Sequence, residues 1–156
     1  MAEALLGLGG NLGDARATIV EALRRLDAAG ARILRRSGYY RTAPWGGVVQ
    51  PDFVNLCAAV RTELNPDELL ERTQAIEREG GRTPGPRWGP RPIDIDILDY
   101  EGVTLDTPRL TLPHPRLNER AFVLVPLAEI APEREIRGRT VRDWAEQCDR
   151  TGIVRL

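Results

Sequence analysis

The sequence contains no lysine, because all 22 of its basic residues are arginine. Without lysine the protein cannot form a Schiff base with a carbonyl substrate, and it cannot hold a nucleotide phosphate with the lysine of a P-loop. Phosphate binding is left to guanidinium groups, which offer two parallel N–H donors to phosphate oxygens. A compositional bias of the source genome explains the absence equally well, so this observation alone identifies no function.

Cysteine and long apolar segments are also scarce. Cys57 and Cys148 lack the spacing of a metal site, and Cys57 lies in an apolar segment, so we expect free thiols and a reducing compartment. No basic leader precedes an apolar run, and no apolar run is long enough to span a bilayer. The net charge of −1 argues against a general nucleic-acid or membrane binder. We therefore expect a cytoplasmic protein without nucleic-acid or membrane partners, and we take a monomer as the default.

The pattern of apolar residues predicts a single α+β domain over residues 1–156. Predicted strands and capped helices alternate along the chain, with strands at 4–8, 31–41, 53–62 and 93–98 and helices at 14–29 and 65–80. The order is β-α-β-β-α-β, followed by a C-terminal extension with two short helices, the first of which begins at a proline. We therefore predict a ferredoxin-like antiparallel sheet with the helices on one face, which leaves the other face open.

The segment 87–98 carries the strongest functional signal. It reads Arg-Trp-Gly-Pro-Arg-Pro-Ile-Asp-Ile-Asp-Ile-Leu, and its second half alternates like a strand, with three isoleucines on one face and Asp94 and Asp96 on the other. Two carboxylates so placed lie about 6–7 Å apart and repel each other unless a cation lies between them. Mg²⁺ prefers oxygen ligands, so we predict that this pair holds magnesium. A bare pair of this kind is more often a solvated strand face, but the flanking Arg-Trp-Gly-Pro-Arg favours the metal.

Six arginines and the only histidine lie in the loops that flank this strand: Arg82, Arg87, Arg91, Arg109, Arg116, Arg120 and His114. Taken singly, each arginine fits a solvated surface position, and the histidine fits a structural hydrogen-bonding role equally well. Their number around two aspartates favours a polyphosphate site, in which guanidinium groups neutralise the oxygens that the metal does not bind.

Aromatic residues on the same strands and loops suit a flat heterocycle. We predict four residues that enclose the ring and two that bind its polar edge: Trp45, Phe53, Trp88 and Phe122, with Thr42 and Asn55. The strand phases put Phe53 and Asn55 on the same open face as the two aspartates. A plain hydrophobic cluster explains Phe122 as well.

Five motifs stand in order along the chain: Gly-Gly-Asn-Leu-Gly-Asp at 9–14, Tyr-Arg-Thr-Ala-Pro at 40–44, Gln-Pro-Asp-Phe-Val-Asn at 50–55, Arg-Trp-Gly-Pro-Arg-Pro-Ile-Asp-Ile-Asp at 87–96 and Leu-Pro-His-Pro-Arg at 112–116. Together they resemble the 6-hydroxymethyl-7,8-dihydropterin pyrophosphokinase family. The resemblance implies transfer of diphosphate from ATP to the hydroxymethyl group of the pterin, with release of AMP, in folate biosynthesis. It also implies two Mg²⁺ ions on Asp94 and Asp96.

The resemblance further implies individual residue roles. The implied ATP contacts are Gln74, Glu77, Arg82, Arg87, Trp88, Arg91, Ile97, Arg109, Thr111, His114 and Arg120. The implied pterin contacts are Thr42, Ala43, Trp45, Phe53, Asn55, Trp88 and Phe122. Arg82 and Arg91 are assigned to the transition state with the aspartates, without an obligatory protein general base. The chain departs from the family pattern at Gly10, where serine is frequent, and at Phe53 and Pro115, where tyrosine is frequent.

Two interpretations of another kind stay open at this point. A ferredoxin-like module that binds RNA or a small regulatory ligand would carry aromatics on its central strands and a basic face, whereas two aspartates are expected here. A metal-dependent transferase or nuclease with another substrate would share the aspartate pair. The sequence also leaves Glu77 open, since it fits a shielded carboxylate and a solvated helix position equally well.

Overall fold

A computed structural model describes residues 1–44, 49–80 and 92–156. Within these ranges the strands are β1 Ala2–Gly10, β2 Ala31–Arg36, β3 Tyr40–Thr42, β4 Phe53–Thr62, β5 Asp94–Tyr100, β6 Leu105–Asp106, β7 Thr111–Leu112, β8 Glu135–Ile136, β9 Arg139–Thr140 and β10 Ile153–Arg155. The helices in the same ranges are α1 Ala15–Ala28, α2 Pro66–Glu79, α3 Ala121–Ile130 and α4 Val141–Gln147, and a 3₁₀ turn at Leu117–Glu119 precedes α3. No helix of the described ranges is both long enough and apolar enough to cross a membrane.

The two long helices begin where their capping residues predict. The side chain of Asp14 accepts a hydrogen bond from the backbone N–H of Ala17. Asn65 and Glu68 form a capping box, in which each side chain accepts the backbone N–H of the other residue. The chain leaves α1 through Gly30 at a φ of 99°, a conformation that favours glycine. These local signals set where both helices begin and where α1 ends.

The main sheet is antiparallel and has the strand order β10-β3-β4-β1-β5, with β2 also paired to β4. The single strand predicted at 31–41 is therefore wrong, because β2 and β3 pair with different parts of β4. Ser37 separates them: its backbone N–H donates to Cys57 O, and its hydroxyl accepts the N–H of Cys57. The sequence analysis did not predict β10, which pairs with β3.

One face of this sheet packs against α1 and α2, as the sequence predicts. The shared apolar cluster includes Leu6 and Leu8 from β1, Ile19 from α1 and Leu69 from α2. The isoleucines at 93, 95 and 97 all enter it, so the predicted alternation of the aspartate strand is confirmed. Burial of these large aliphatic side chains stabilises the fold by roughly 1.5–3 kcal/mol each.

The other face is not open along its whole length, so that part of the prediction is wrong. Helices α3 and α4 cover one end of it, and the buried residues below them include Leu5, Cys57, Ala59 and Leu98. We call these four residues the covered end of the face. The two helices belong to the C-terminal extension, whose docking position the local sequence pattern does not specify.

Helix α3 also differs from its prediction in one detail. It begins at Ala121 and contains Pro126 inside the helix, whereas the sequence predicts a helix that starts at this proline. An internal proline removes one N–H from the helix and is unfavourable. Burial of Val123, Leu124 and Leu127 against the sheet outweighs that cost.

Candidate functional site

A lateral row of residues crosses five strands on the face that carries the aspartates. The strand register pairs Arg155 with Tyr40, Tyr40 with Asn55, Asn55 with Gly9, and Gly9 with Asp94. Paired residues of antiparallel strands point to the same side of the sheet. Asn55 and Asp94 therefore face the same space across one intervening strand, about 10 Å apart by strand spacing.

The intervening strand presents only glycine to this space. Gly9 lies between Asn55 and Asp94, and Gly7 lies between Cys57 and Asp96. A Cβ atom built on Gly9 would lie 2.3 Å from Asn55 Oδ1, so a side chain there would displace the amide. The strand thus forms the floor of a trough, which we call the glycine trough. Strand β1 continues to Gly10, so the strand predicted at 4–8 is too short.

Asn55 has a fixed amide orientation. Its Nδ2 donates to the hydroxyl of Thr42 at 2.8 Å, and Thr42 is buried. Phe53 pairs with Thr42 across β3 and β4, and it is half-buried on the same face. The structure thus brings together Thr42, Phe53 and Asn55, three residues that the sequence predicts for a heterocycle.

A cavity of about 250 Å³ adjoins this group. Thr42, Ala43 and Phe122 line it, and all three are residues predicted to contact the heterocycle. Its remaining wall comes from Arg116, Glu119, Arg120, Ala121, Asp149, Thr151, Gly152 and Ile153. No local sequence pattern predicts the contribution of Asp149 and of residues 151–153, because only the pairing of β10 with β3 brings the C-terminal turn to the cavity.

Arg120 links the cavity to the aspartates. Its guanidinium carbon lies 5.6 Å from the centroid of the Phe122 ring, a cation–π distance. Burial lowers the pKa of Arg120, Asp96 and Asp94 act in the opposite direction, and the group stays a cation at neutral pH. A half-buried permanent cation beside two carboxylates suits an anionic ligand that also carries a metal.

His114 is held by one hydrogen bond to strand β5 and one within its own segment. Its backbone N–H donates to Leu98 O at 2.8 Å, and its Nδ1 accepts the backbone N–H of Arg116 at 3.2 Å. Burial first, and then the positive charges of Arg120, Arg137 and Arg116, lower the pKa of His114 to about 4. The imidazole is therefore neutral at pH 7, with its proton on Nε2 as a hydrogen-bond donor.

Glu77 is buried, which decides between its two interpretations. Its Oε2 accepts the backbone N–H of Ile95 at 2.8 Å, so it ties α2 to the aspartate strand. Ile97 is 3 % exposed and belongs to the cluster below α1 and α2. Its side chain therefore points away from the aspartates, although its backbone is part of their strand.

Three further residues predicted for ATP differ in their exposure. Arg109 and Gln74 are exposed, and Thr111 is half-buried in β7. Arg109 approaches Glu71 of α2 to within 3.9 Å. The predicted residues Trp45, Arg82, Arg87, Trp88 and Arg91 lie outside the described residues.

Asn11 is a residue of this region that the sequence analysis gave no role. It is 4 % exposed, and its Nδ2 donates to Gln50 Oε1 at 2.8 Å and to Pro51 O at 2.9 Å. These bonds tie the end of β1 to the chain just before β4. The available signal was an asparagine inside a glycine-rich motif.

The donor set at the aspartates suits Mg²⁺. Asp94 and Asp96 are half-buried and follow each other on one side of β5. In the described ranges no group of three or more histidine, cysteine or acidic side chains forms a closed metal site. Mg²⁺ is commonly bound through one or two carboxylates, with phosphate and water oxygens completing six ligands. The pair therefore fits a magnesium ion that arrives with a phosphate ligand.

Both cysteines are free thiols, as predicted. Cys57 lies next to the trough on β4, but burial raises its pKa far above the usual range, and Asp96 and Glu129 raise it further. The protonated thiol is a poor nucleophile. The site thus offers acidic, guanidinium and amide groups for its chemistry.

Comparisons with known proteins identify the family of the chain. The family model described as 7,8-dihydro-6-hydroxymethylpterin-pyrophosphokinase (HPPK) matches residues 5–132. The 2-amino-4-hydroxy-6-hydroxymethyldihydropteridine pyrophosphokinase of Methylorubrum extorquens is 50% identical over 157 residues, covering 100% of this chain and 99% of the relative. The protein of the same name from Pseudomonas aeruginosa is 43% identical over 155 residues, covering 97% of this chain and 94% of the relative.

Solved structures support the same fold. The wild-type HPPK-DHPS of Plasmodium falciparum with pteroate superposes with a TM-score of 0.75 at 18% identity. The match covers 94% of this chain and 42% of that chain, so the chain spans less than half of this structural neighbour. Together with the family model and the curated relatives, the α+β fold with its antiparallel sheet leads to one conclusion: the chain belongs to the 7,8-dihydro-6-hydroxymethylpterin-pyrophosphokinase family.

Proposed function

We propose that the aspartate face of the sheet binds ATP and 6-hydroxymethyl-7,8-dihydropterin side by side and transfers diphosphate between them. Pyrophosphokinase activity in folate biosynthesis is the activity of the chain's family and of its curated relatives. The row Asn55–Gly9–Asp94 carries the proposal for the site. It offers an amide for a heterocycle and a carboxylate for a metal, with a floor between them that holds no side chain.

The pterin part of the proposal rests on the fixed amide. Thr42 accepts one amide hydrogen of Asn55, so Asn55 Oδ1 has a defined position above Gly9. A carbonyl oxygen there would accept hydrogen bonds from the amino edge of a pterin. Phe53 and Phe122 would contact the ring, as would Trp45 and Trp88 from segments outside the described residues. Ala43 would line the same cavity.

The proposed binding of ATP rests on positive charges and on one neutral hydrogen-bond donor, the imidazole of His114. Asp94 and Asp96 would hold two Mg²⁺ ions, which would neutralise phosphate oxygens and keep the reacting groups in line. Arg120 is a half-buried cation beside these carboxylates, and His114 would donate Nε2–H to a phosphate oxygen. The remaining proposed ATP contacts are Gln74, Glu77, Arg82, Arg87, Trp88, Arg91, Ile97 (through its backbone), Arg109 and Thr111.

The proposed reaction is an in-line displacement at the β phosphorus. The hydroxymethyl oxygen forms a bond to this phosphorus, the bond to the oxygen that bridges the α and β phosphorus breaks, and AMP leaves with that electron pair. The hydroxyl proton passes to water or a phosphate oxygen. Neither His114, whose Nε2 carries a proton, nor the protonated Cys57 accepts it. Arg82 and Arg91 would stabilise the charge that develops in the transition state.

The finer points of fold and cellular context are proposed as well. The order β5-β1-β4-β2, with α1 and α2 on one face, supports a ferredoxin-like βαββαβ unit. The two apolar clusters share one sheet, which supports a single domain over residues 1–156. Two free cysteines support a cytoplasmic location. We also propose a monomer, which light scattering of the purified protein would test.

Product analysis tests the function directly. The purified protein is incubated with ATP, Mg²⁺ and 6-hydroxymethyl-7,8-dihydropterin, and the nucleotide products are separated by chromatography. AMP should form in a one-to-one ratio with the pterin diphosphate, and neither product should form without the pterin. A dominant ADP peak would contradict diphosphate transfer, even if calorimetric titration shows that both substrates bind.

A further inference from the structure

The hairpin between β8 and β9 contains an unusual residue in its turn. Ile136 pairs with Arg139, so Arg137 and Gly138 form a two-residue loop, with φ values of 49° and 81°. Such a turn favours Asn-Gly, because both positions need positive φ. Among the described residues, Arg137 alone combines a side chain with positive φ. An arginine that occupies this conformation points to a use for its side chain.

The side chain of Arg137 reaches the segment that contains His114. Its Nη2 donates to Pro113 O at 3.2 Å, and its Nη1 donates to Asn118 Oδ1 at 3.4 Å. The two acceptors flank His114 and Arg116. The guanidinium thus bridges the two ends of a short, proline-rich segment, which also meets the sheet through the bond from His114 N–H to Leu98 O and through the buried side chain of Leu117.

We propose that Arg137 is a positioning residue for the pyrophosphokinase reaction, which fixes segment 113–118 so that His114 faces the nucleotide phosphates and Arg116 keeps its place in the wall of the adjoining cavity. The inference rests on the function proposed above. Arg137 itself touches no reacting group. Its two guanidinium hydrogen bonds link Pro113 to Asn118 and restrict the conformations of the segment before ATP binds. The conformational entropy that the segment loses on binding ATP is therefore smaller.

The electrostatics of His114 provide an independent readout. Arg137 is one of the cations that lower the pKa of His114, after burial and Arg120. His114 is the only histidine of the chain, so its imidazole signals need no assignment against others. Removal of the Arg137 charge should raise the pKa of His114 and shift its resonances.

The turn geometry allows a substitution that keeps the backbone relaxed. Glycine and asparagine tolerate positive φ better than arginine does, so Arg137→Gly and Arg137→Asn should melt at the wild-type temperature or above. We expect kcat/KM for MgATP to fall about fivefold to tenfold, the effect of losing one or two hydrogen bonds. In NMR titrations His114 should gain its proton at a higher pH than in the wild type.

Two further variants separate the contributions. Arg137→Lys keeps the positive charge but cannot donate to Pro113 and Asn118 at the same time as a guanidinium does. His114 should therefore titrate as in the wild type, whereas kcat/KM should lie between the values of the wild type and of Arg137→Gly. Arg142→Asn is the control, because it removes another exposed arginine of the C-terminal extension, which pairs with Glu133. It should leave kcat/KM and the His114 signals unchanged.

Each outcome bears on the inference. Wild-type kcat/KM in Arg137→Gly and Arg137→Asn, or unmoved His114 signals, would overturn it. A loss of activity that matches a drop in melting temperature would overturn it too, because it would assign Arg137 to stability. The proposed function fails in another way, namely if the wild-type protein releases no AMP with the pterin substrate.

Discussion

Acidic residues of β5 have different surroundings at the two ends of one sheet face. At the covered end, Asp99 is 8 % exposed, and its carboxylate accepts a hydrogen bond from Arg134 at 2.6 Å. The same guanidinium binds Glu3 at 3.0 Å. At the other end, Asp94 and Asp96 flank the glycine trough and are half-buried.

The difference shows how one strand serves structure and chemistry. A carboxylate that a guanidinium neutralises inside the protein contributes to the fold, and breaking such a buried pair is costly. The trough-side carboxylates border a floor that consists of Gly7 and Gly9, and a metal–phosphate ligand fits above it. The predictions below test this comparison, beginning with the largest expected effect.

Asp94→Asn and Asp96→Asn should each lower turnover by at least about a thousandfold, because loss of a carboxylate removes metal charge worth several kcal/mol in the transition state. Stability should change by less than about 0.5 kcal/mol, since neither residue belongs to the apolar core. AMP release and thermal melting measure the two effects.

Asp99→Asn is the matched control from the same strand. It should destabilise the fold by roughly 2 kcal/mol by weakening the bond to Arg134, while turnover per folded molecule stays at the wild-type level. An inactive but stable Asp99→Asn protein, or an active Asp96→Asn protein, would remove the distinction between the two ends.

Gly9→Ala should raise the KM for the pterin about tenfold, because the new Cβ forces the Asn55 amide out of position. Gly7→Ala is its control on the same strand: there a Cβ would meet the Leu98 side chain at 3.6 Å, an ordinary contact. Steady-state kinetics with varied pterin compares the two. Equal pterin KM values in both variants would contradict the role of Gly9 in positioning the Asn55 amide.

Glu129 joins α3 to the sheet near the border of the two ends. It accepts hydrogen bonds from Tyr40 OH, Gly38 N–H and Arg155 Nε. Burial opposes its ionisation, but the bonds from Arg155, Tyr40 and Gly38 lower its pKa to about 2. As the pH falls, the unfolded chain therefore takes up the proton first. This stabilisation is complete above about pH 4.5 and is lost towards pH 2.

Glu129→Gln should thus lower the free energy of unfolding by about 1–2 kcal/mol at pH 7 and by little at pH 2, after allowance for solvent screening. Urea unfolding at both pH values measures the difference. A deficit of the same size at both pH values would show that the ionised carboxylate is not its source.

Thiol reactivity tests how tightly the covered end is closed. Cys57 is buried below α3 with a raised pKa, whereas Cys148 is partly exposed. Native-state alkylation should modify Cys148 at least about a hundredfold faster than Cys57. Peptide mass spectrometry after timed alkylation distinguishes them. Rapid modification of Cys57 would indicate that the covered end opens readily.

Several features followed from the sequence because they depend on near neighbours in the chain. The alternation in β5 predicts the burial of Ile95 and the common side of Asp94 and Asp96. Capping residues predict the starts of both long helices. The ordered motifs predict the family, because each motif is local and their order is unmistakable.

Other features needed the folded chain. The role of Gly9 follows from its register with Asn55, which is 46 residues away in sequence. The neutral state of His114 depends on burial and on arginines from three other positions. The C-terminal turn reaches the cavity only through the pairing of β10 with β3.

The sequence itself determined the alternation of side chains in β5, the caps of the two long helices and the order of the five motifs. Steric fit and hydrogen bonding within a few residues decide the first two. The covered end, the glycine trough and the contact of Arg137 with Pro113 were decided by tertiary structure. They arise where distant segments pack, and the free energy of that packing depends on which surfaces meet rather than on any single local pattern.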